Sequence, residues 1–329
     1  MSLRWGILST ANIGLKVVTP AIQASKSCQV VAVASRDGQK AERYAAELGI
    51  PRVYSSYEAL LEDPDIDAIY NPLPNSLHLP WTVRALQVGK HVLCEKPLGL
   101  SAKECREMAR AAEASGCVLM EAFMYRFHDR TQQLLERVQE GNLGALRLIR
   151  ARFAFTVLDP NNIRLNAELG GGALMDVGCY CVNVARTLAG AQPLKVQATA
   201  SWIQNVDKTL TATLTFAGGL IAQIDCALDQ PRFEKLEVFG TDGYCEVDAA
   251  FLPGSSDTVL ELTSRQAGVQ QLSVPGHNQY QRMVEHFTEA VRQQTPVRYG
   301  PLEAAQNMTV IEALYRSART GREEILNNE

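Results

Sequence analysis

The first third of the chain alternates short apolar runs with segments of helical character. Residues 30–34 form an uninterrupted apolar run, which is typical of a strand buried on both faces of a parallel sheet. Residues 37–48 are rich in alanine, with Asp37 as a candidate cap and Gly49 as the end of the helix. Further strands are predicted at 4–9, 53–54, 68–70, 92–94 and 118–120, and further helices at 15–24, 80–88 and 101–115. This alternation predicts βαβ units and an α/β fold with an N-terminal doubly wound parallel sheet of the Rossmann type.

After about residue 122 the pattern changes to longer strands with fewer helices. Leu210, Ala212 and Leu214 alternate with threonines, which is the period of two expected of a strand with one buried face. Gly218 and Gly219 predict a hairpin turn. Further strands are predicted at 146–155, 220–226, 234–239, 244–248, 258–263 and 269–274, and helices at 128–140, 174–189, 279–293 and 302–319. We therefore predict a C-terminal α+β domain with a large, mostly antiparallel open sheet, and domains spanning 1–122 and 123–329.

Composition narrows the class of protein. The net charge of -4 and the pI near 5.8 give no basic field for nucleic acid, and no apolar run approaches the ~18 residues of a membrane span. None of the eight cysteines forms a C-x-x-C pair, and Cys179 and Cys181 have no second pair or nearby histidine to complete a metal site. Reduced thiols favour a reducing compartment, so we predict a cytoplasmic protein. No structural metal is predicted, because no set of ligands completes a tetrahedral site.

Lys96 is the strongest candidate for chemistry. It follows the apolar run 92–94 and Glu95, at the carboxyl end of a predicted strand, where ligands of open parallel sheets bind. Pro97 keeps Lys96 out of the helical region and cannot donate a ladder hydrogen bond. The alternative is an ordinary surface lysine that closes a strand.

The turn after the first strand is a candidate phosphate loop. The three glycine positions of the G-x-G-x-x-G fingerprint hold Ser9, Ala11 and Gly14, so the match is incomplete. Diphosphate binding uses backbone amides and a helix N-terminus, and Ser and Ala are the smallest replacements for Gly. An ordinary tight turn between strand and helix is the alternative.

The end of the second strand indicates the cofactor. Ser35 and Arg36 stand where NAD enzymes place an acidic residue, and a hydroxyl with a guanidinium suits the 2′-phosphate of NADP. NADP is therefore favoured over NAD. Asp37 is the exception to this pattern, since it could cap its helix or reach the ribose.

Two further segments carry candidate polar residues. In the loop 71–78, Asn75 and His78 could face a nicotinamide or a substrate, although His78 could equally bond to local backbone. In 168–180, three glycines lead into a helix that carries Asp176 and Tyr180 at positions i and i+4, on one helical face. A plain hydrogen bond between Asp176 and Tyr180 is the alternative.

These motifs together resemble the Gfo/Idh/MocA family of oxidoreductases over nearly the whole chain. Cys-Glu-Lys-Pro at 94–97 with the downstream pattern G-G-G-x-x-x-D-x-G-x-[HY] at 170–180 is specific in combination. Segments 6–13 and 71–78 add to it, and segments 121–128 and 161–165 look like the branch of dimeric dihydrodiol dehydrogenase and NADP-dependent D-xylose dehydrogenase. The resemblance implies a Rossmann domain followed by an open sheet with the active site between them, and often a cis bond at 96–97.

The resemblance also implies roles for single residues. Lys96 and Tyr180 are the implied catalytic pair, with Tyr180 where many members have His, and Asp176 is added as a catalytic or substrate-binding residue. The predicted substrate-binding residues are Arg126, Asn162, Arg164 and Asp176. The predicted cofactor-binding residues are Ser9, Thr10, Ala11, Asn12, Ile13, Ser35, Arg36, Asn71, Leu73, Pro74, Asn75, His78, Glu95 and Lys96.

The predicted activity is an NADP-dependent dehydrogenase acting on CH–OH or CH–CH donors of a sugar or polyol, such as an aldose or a trans-dihydrodiol. Tyr180 is the predicted acid/base, assisted by Lys96. A non-catalytic NADP-binding sensor or regulatory protein of the same fold is the alternative. The threonines between 209 and 215 put a polar face on an open sheet, which is either solvated or, as the resemblance implies, the contact of a homodimer or higher homo-oligomer. We favour the homo-oligomer.

Overall fold

The computed structural model describes residues 2–326, which form two compact units. Among the described residues, the first unit comprises 2–124 and 278–305, and the second comprises 125–277 and 306–326. The outermost ends of the two predicted domains, residue 1 and residues 327–329, lie outside the described residues. The predicted division differs from these units mainly in 278–305, which the sequence assigned to the second domain.

The first unit is built on a six-stranded sheet in the order β3-β2-β1-β4-β5-β6. All neighbouring strands are parallel, as the uninterrupted apolar runs predict. The strands are β1 (Leu3–Leu8), β2 (Cys28–Ala34), β3 (Arg52–Tyr54), β4 (Ala68–Asn71), β5 (His91–Cys94) and β6 (Leu119–Glu121). This doubly wound sheet confirms the predicted fold of the N-terminal part.

Helices cover this sheet, and one of them was not predicted. They are α1 (Thr19–Ala24), α2 (Gly38–Leu48), α3 (Tyr57–Leu61), α4 (His78–Gln87) and α5 (Ala102–Ser115). The unpredicted helix is α3, a short helix capped by Ser56, whose hydroxyl accepts from the Ala59 amide at 3.1 Å. A π-helical turn, Gly14–Val18, precedes α1, and a 3₁₀ turn, Asn75–Leu77, precedes α4, so both helical segments begin earlier than predicted.

The last part of the first unit comes from late in the chain. The bounds of the next helix of this unit, Gln279–Gln293, match the prediction. Its Phe287 ring lies 5.1 Å from the ring of Trp5 in β1, and both side chains are fully buried. Apolar burial on β1 therefore explains why this segment belongs with the first unit rather than with the residues that precede it.

The second unit contains a nine-stranded sheet in the order β14-β13-β12-β11-β7-β10-β9-β8-β15. Apart from the parallel pair of β10 and β7, its paired strands are antiparallel. The strands are β7 (Leu146–Thr156), β8 (Lys195–Ile203), β9 (Val206–Thr215), β10 (Ile221–Ala227), β11 (Asp229–Gly240), β12 (Gly243–Asp248), β13 (Thr258–Ser264), β14 (Gly268–Val274) and β15 (Glu324–Ile325). The predicted mostly antiparallel open sheet is confirmed, and the two-residue β15 was not predicted.

Helices α6 (Asp129–Gln139) and α7 (Cys179–Ala189) belong to the second unit, the late helix Gln279–Gln293 is α8, and α9 spans Pro301–Thr320. A π-helical turn, Leu174–Gly178, leads directly into α7. The predicted hairpin is present, because Thr215 of β9 pairs with Ile221 of β10 across a turn at Ala217–Gly219. Within residues 2–326, no helix combines the length and the hydropathy that crossing a membrane would require.

Candidate active site

The loops that follow β1, β2, β4 and β5 meet at one edge of the parallel sheet. These strands are neighbours in the order β2-β1-β4-β5, so their carboxyl ends lie side by side, with the reversal of strand order between β1 and β4. Backbone hydrogen bonds join the loops, since the Ser9 amide donates to Ala34 at 2.8 Å and the Glu95 amide donates to Asn71 at 3.0 Å. The structure thus brings the segments predicted to bind a cofactor together at this edge.

In the turn after β1, Ser9 stands at the first glycine position of the fingerprint and adopts the backbone conformation typical of glycine. Ser9 has φ of 75°, a left-handed conformation that usually requires glycine, and its hydroxyl accepts from the Ala11 amide at 3.3 Å. Gly14 cannot be replaced so easily, because a Cβ there would lie 2.9 Å from the Tyr44 hydroxyl. Thr10, Asn12 and Ile13 are half-buried or exposed at the start of the following helix, where backbone amides have no partner within the helix. The loop therefore keeps the features that bind a diphosphate.

At the end of β2, Arg36 is exposed, whereas the side chain of Asp37 accepts a hydrogen bond from the backbone. Asp37 caps α2, accepting from the Lys40 amide at 3.1 Å, and this hydrogen bond is the main reason why the pKa of Asp37 is lowered. Of the two roles left open for Asp37, the structure supports the cap. Ser35 accepts from the Asp37 amide at 3.2 Å, whereas Arg36 is exposed and contacts the Tyr57 hydroxyl. Burial raises the pKa of Tyr57 and the Arg36 contact opposes this rise.

Residues 95–97, which follow β5 and are called the lysine turn below, are held by the carboxylate of Glu95. The Lys96–Pro97 peptide is cis, as the resemblance implied. The hydroxyl of Tyr70 in β4 donates to Glu95 Oε1 at 2.7 Å, and Glu95 Oε2 lies 3.4 Å from the Lys96 amide. Burial and the charge of Glu95 raise the pKa of Tyr70 well above its ordinary value, so Tyr70 stays a hydrogen-bond donor.

The loop after β4 is held by buried polar side chains. His78 is fully buried, with Nδ1 2.9 Å from the Pro97 carbonyl and Nε2 2.8 Å from the Leu73 carbonyl. Both ring nitrogens of His78 thus face backbone carbonyls, as the alternative of bonding to local backbone expects, and the cofactor role of His78 stays a prediction. Asn71 is also fully buried, and its amide group contacts the Leu73 amide and the Thr82 hydroxyl. The remaining predicted residues of this loop, Pro74 and Asn75, are half-buried.

In the second unit, Asp176 and Tyr180 lie on the helical segment that begins with the π-helical turn. Asp176 Oδ2 is 2.6 Å from Nε of Arg164, whose own amide donates to the Asn162 side chain at 3.1 Å. The prediction placed Arg164 and Asp176 in the same site, and the structure joins them as an ion pair. The Tyr180 ring is 5% exposed and packs at 5.3–5.8 Å from the rings of Tyr125, Phe153 and Phe251. Arg126, the other predicted residue, is buried in a 3₁₀ turn, Met124–Phe127.

Sequence reasoning missed Asp207, which anchors the start of this helical segment. Asp207 in β9 is fully buried, and its carboxylate accepts from the Leu174 amide at 2.6 Å and from the Tyr315 hydroxyl at 2.7 Å. Burial raises the pKa of Asp207, while the two hydrogen bonds oppose the rise. A Cβ at Gly172, which has φ of 122°, would clash with the Asp207 carboxylate. The glycine run at 170–172 therefore makes room for this anchor as well as for the turn.

The predicted site residues are divided between the two units. Lys96, Glu95 and the loops after β1, β2 and β4 belong to the first unit. Arg126, Asn162, Arg164, Asp176 and Tyr180 belong to the second unit. Within residues 2–326, no group of three or more His, Cys, Asp or Glu side chains is arranged to hold a metal ion.

The chain was compared with families and with known proteins. Residues 3–123 match the family described as "Oxidoreductase family, NAD-binding Rossmann fold", and residues 131–246 match the GFO/IDH/MocA C-terminal domain. The chain is 41% identical over 323 residues to D-xylose 1-dehydrogenase (NADP(+)) 2 of Haloferax volcanii, an alignment that covers 97% of this chain and 98% of that protein.

Two other relatives show the range of activities. A trans-1,2-dihydrobenzene-1,2-diol dehydrogenase of Mus musculus is 36% identical over 258 residues, which is 77% of each chain. The crystal structure of KijD10, a 3-ketoreductase of Actinomadura kijaniata in complex with NADP and TDP-benzene, is 30% identical. It superimposes with a TM-score of 0.91 over 96% of this chain and 98% of that chain. These matches confirm the resemblance carried by the lysine, glycine and tyrosine motifs. The chain therefore belongs to the Gfo/Idh/MocA family of oxidoreductases, whose N-terminal domain is an NAD-binding Rossmann fold.

Proposed function

We propose that this oxidoreductase uses NADP to transfer a hydride to or from a hydroxyl-bearing carbon of a sugar or related polyol, such as an aldose or a trans-dihydrodiol. The observation that carries the proposal is the convergence of four loops at the carboxyl edge of the parallel sheet, with Lys96 on one of them. The names of the relatives support the substrate class, since they act on xylose, a dihydrodiol or a dTDP-linked sugar.

The residues at the sheet edge fit NADP. The first amides of the helical segment after Ser9 suit the diphosphate, and the Gly14 position keeps that helix close to the sheet. Ser35 and Arg36 suit the 2′-phosphate, because Arg36 is exposed and Asp37 is committed to its helix cap. When bound, the nicotinamide supplies the hydride acceptor or donor.

The proton of the substrate hydroxyl goes to Tyr180 in this proposal. A phenol has a reference pKa near ~10, which is too high for a base at neutral pH, and a nearby ammonium lowers it. Lys96 would provide this charge and hold the substrate oxygen and the ribose. Tyr180 would be the base in oxidation and the acid in reduction, and its surrounding rings exclude water.

Asp176 and Arg164 would bind the sugar. A carboxylate accepts hydrogen bonds from hydroxyl groups, and the Arg164 ion pair fixes the orientation of Asp176. Asn162 fixes the backbone of the Arg164 loop, and Arg126 is a further candidate. A non-catalytic sensor would need none of these groups, and membership of an oxidoreductase family argues against that alternative.

We also propose that two copies associate through the exposed face of the nine-stranded sheet. This face carries the β9 threonines, a cleft of about 420 Å³ that includes Thr211 and Thr213, and an ion pair between Arg152 and Asp225 at 2.7 Å. It also exposes Phe233 (43%) and Ile221 (39%), which suits burial against a second copy. Light scattering that gave the monomer mass at micromolar concentration would contradict the dimer. We also propose a cytoplasmic location, because none of the eight cysteines, all of which lie within residues 2–326, forms a disulfide.

The first experiment is nicotinamide reduction by the pure protein, with NADP and NAD side by side, against D-xylose, other aldoses and a trans-dihydrodiol. K96M and Y180F should each lower kcat by roughly 100-fold or more, since each removes an acid/base component. K103M, which changes an exposed lysine of α5, and Y244F, which changes an exposed tyrosine of β12, are matched controls and should keep the parent rate. Turnover with NAD alone would overturn the cofactor assignment, and unchanged K96M turnover would overturn the catalytic one.

A further inference from the structure

The imidazole of His78 lies between the two loops that follow β4 and β5. Its Nδ1 faces the carbonyl of Pro97, one residue beyond Lys96, and its Nε2 faces the carbonyl of Leu73. The side chain is fully buried at the start of α4. A single side chain thus connects the lysine turn with the neighbouring strand-end loop.

Two carbonyl groups cannot both be satisfied by a neutral imidazole. Carbonyl oxygens only accept hydrogen bonds, and a neutral ring has one N–H donor. Burial lowers the pKa of His78 to about 4, and the positive charge of Lys96 acts in the same direction. At neutral pH the ring therefore has one proton, and its position decides which of the two loops the ring holds.

Both loops have further anchors. In the loop after β4, Asn71 contacts the Leu73 amide and the Thr82 hydroxyl. Next to the lysine turn, Glu121 accepts from the Leu98 amide at 2.7 Å.

On the side of the lysine turn, the His78 ring nevertheless has a second backbone acceptor, the carbonyl of Leu98, in addition to that of Pro97. The lysine turn contains Pro97, which has no N–H to donate. A ring nitrogen without a proton would repel the Pro97 carbonyl, whereas an N–H at Nδ1 would fix it.

We propose that His78 is a positioning residue for Lys96, which it holds by donating Nδ1–H to the Pro97 carbonyl. This inference rests on the proposed role of Lys96 and adds a residue that acts through it. In this proposal His78 acts through the lysine turn rather than by touching substrate or cofactor. Its contribution is to keep the lysine turn in one place relative to the edge of the sheet.

The tautomer can be measured without any substrate. The chain contains five histidines, so ¹⁵N-histidine labelling gives few signals, and the H78Q spectrum identifies those of His78. In the full-length protein at pH 7 we expect a protonated Nδ1 on His78. An Nδ1 shift typical of a bare lone pair would overturn the proposal whatever the enzyme turns over.

Two conservative variants test the consequence for turnover. The amide nitrogen of Asn can take the place of Nδ1, and that of Gln the place of Nε2, so H78N keeps the donor to Pro97 and H78Q loses it. We expect kcat of H78N within about threefold of the parent and kcat of H78Q lower by about tenfold or more, the value of one buried hydrogen bond. H91N is the matched control, because His91 also contacts backbone, accepting from the Val118 amide at 2.9 Å, but at the opposite end of β5.

The outcomes separate this inference from the proposed function. Equal losses in H78N and H78Q, with K96M inactive, would overturn the role of His78 and leave that of Lys96 intact. Full activity of K96M would instead remove the proposed function, while the ¹⁵N spectrum would still report which loop His78 holds. Thermal unfolding of each variant identifies any that have lost the fold. A higher kcat of H78N than of H78Q cannot arise from a general loss of stability.

Discussion

Removing the buried carboxylate of Asp207 should loosen the start of the helical segment that carries Asp176 and Tyr180. In D207N one carboxylate oxygen becomes an NH₂ group, so either the Leu174 amide at 2.6 Å or the Tyr315 hydroxyl at 2.7 Å loses its acceptor. A hydrogen bond to a charged group contributes ~1.5–3 kcal/mol, and an unsatisfied buried donor costs a similar amount. We therefore expect the free energy of local unfolding of this segment to fall by about 2 kcal/mol in D207N.

Hydrogen exchange measures this loss locally. A change of about 2 kcal/mol corresponds to roughly 30-fold faster exchange of the Leu174 amide, which can be followed in a peptide from the start of the segment. D229N is the matched control in the same sheet, since Asp229 is partly exposed and accepts from Thr209 at 2.7 Å. Unchanged exchange at Leu174 in D207N, with an unchanged urea midpoint, would refute the anchoring role.

The contribution of Asp207 to the free energy of unfolding should change with pH in a definite direction. Burial raises the folded-state pKa of Asp207 above its ordinary value of 3.8, so the folded state binds the proton more tightly than the unfolded state. Its contribution to stability is fully present below pH 3.8 and is lost as the pH rises through the folded-state value. The difference in unfolding free energy between the parent and D207N should therefore be larger at pH 4 than at pH 8, and the reverse order would contradict the assignment.

Three further variants address the cofactor, the sugar and the fold. R36Q should raise KM for NADP by about tenfold or more and leave turnover with NAD nearly unchanged, because it removes a charge-assisted contact to the 2′-phosphate; equal effects on both cofactors would contradict this role. R164Q breaks the ion pair with Asp176 and should raise KM for the sugar more than it lowers kcat, whereas a loss confined to kcat would assign Arg164 to the chemical step. S101A removes the N-cap of α5, where the Ser101 hydroxyl accepts from the Glu104 amide at 3.2 Å. It should lower the free energy of unfolding in urea by about 1 kcal/mol without changing KM, and an unchanged midpoint would show that the cap contributes nothing.

The parallel sheet was predictable because its strands are short apolar runs separated by capped helices. The cap at Asp37 was one of the two roles that the sequence offered, and it could be proposed because the side chain and the amide that it satisfies are close in sequence. Helix α3 was missed because its five residues give too few turns for a helical period, although Ser56 stands at its cap. The π-helical turns were missed because a side-chain pattern does not distinguish i+4 from i+5 hydrogen bonding.

The candidate site was predictable where its residues follow strand ends and not where they depend on distant partners. Lys96 could be found because a strand, an acid and a proline define its place in one short segment. The buried state of His78 depends on Pro97, 19 residues later, and local sequence left both of its roles open. Asp207 lies 33 residues from the amide that it anchors, and a single acid in a strand usually indicates a solvent-exposed position.

The return of α8 to the first unit has a consequence for how the protein is made. The ribosome completes β1 early, yet Phe287, which packs on Trp5, is added only after the whole nine-stranded sheet except β15 has been synthesised. At ~5–20 residues per second, the Trp5 surface waits many seconds for its cover, and it is open to chaperones during that interval. A fragment ending at residue 124 would expose this surface permanently, so an isolated nucleotide-binding half of the enzyme should be prone to aggregation unless residues 278–305 are supplied with it.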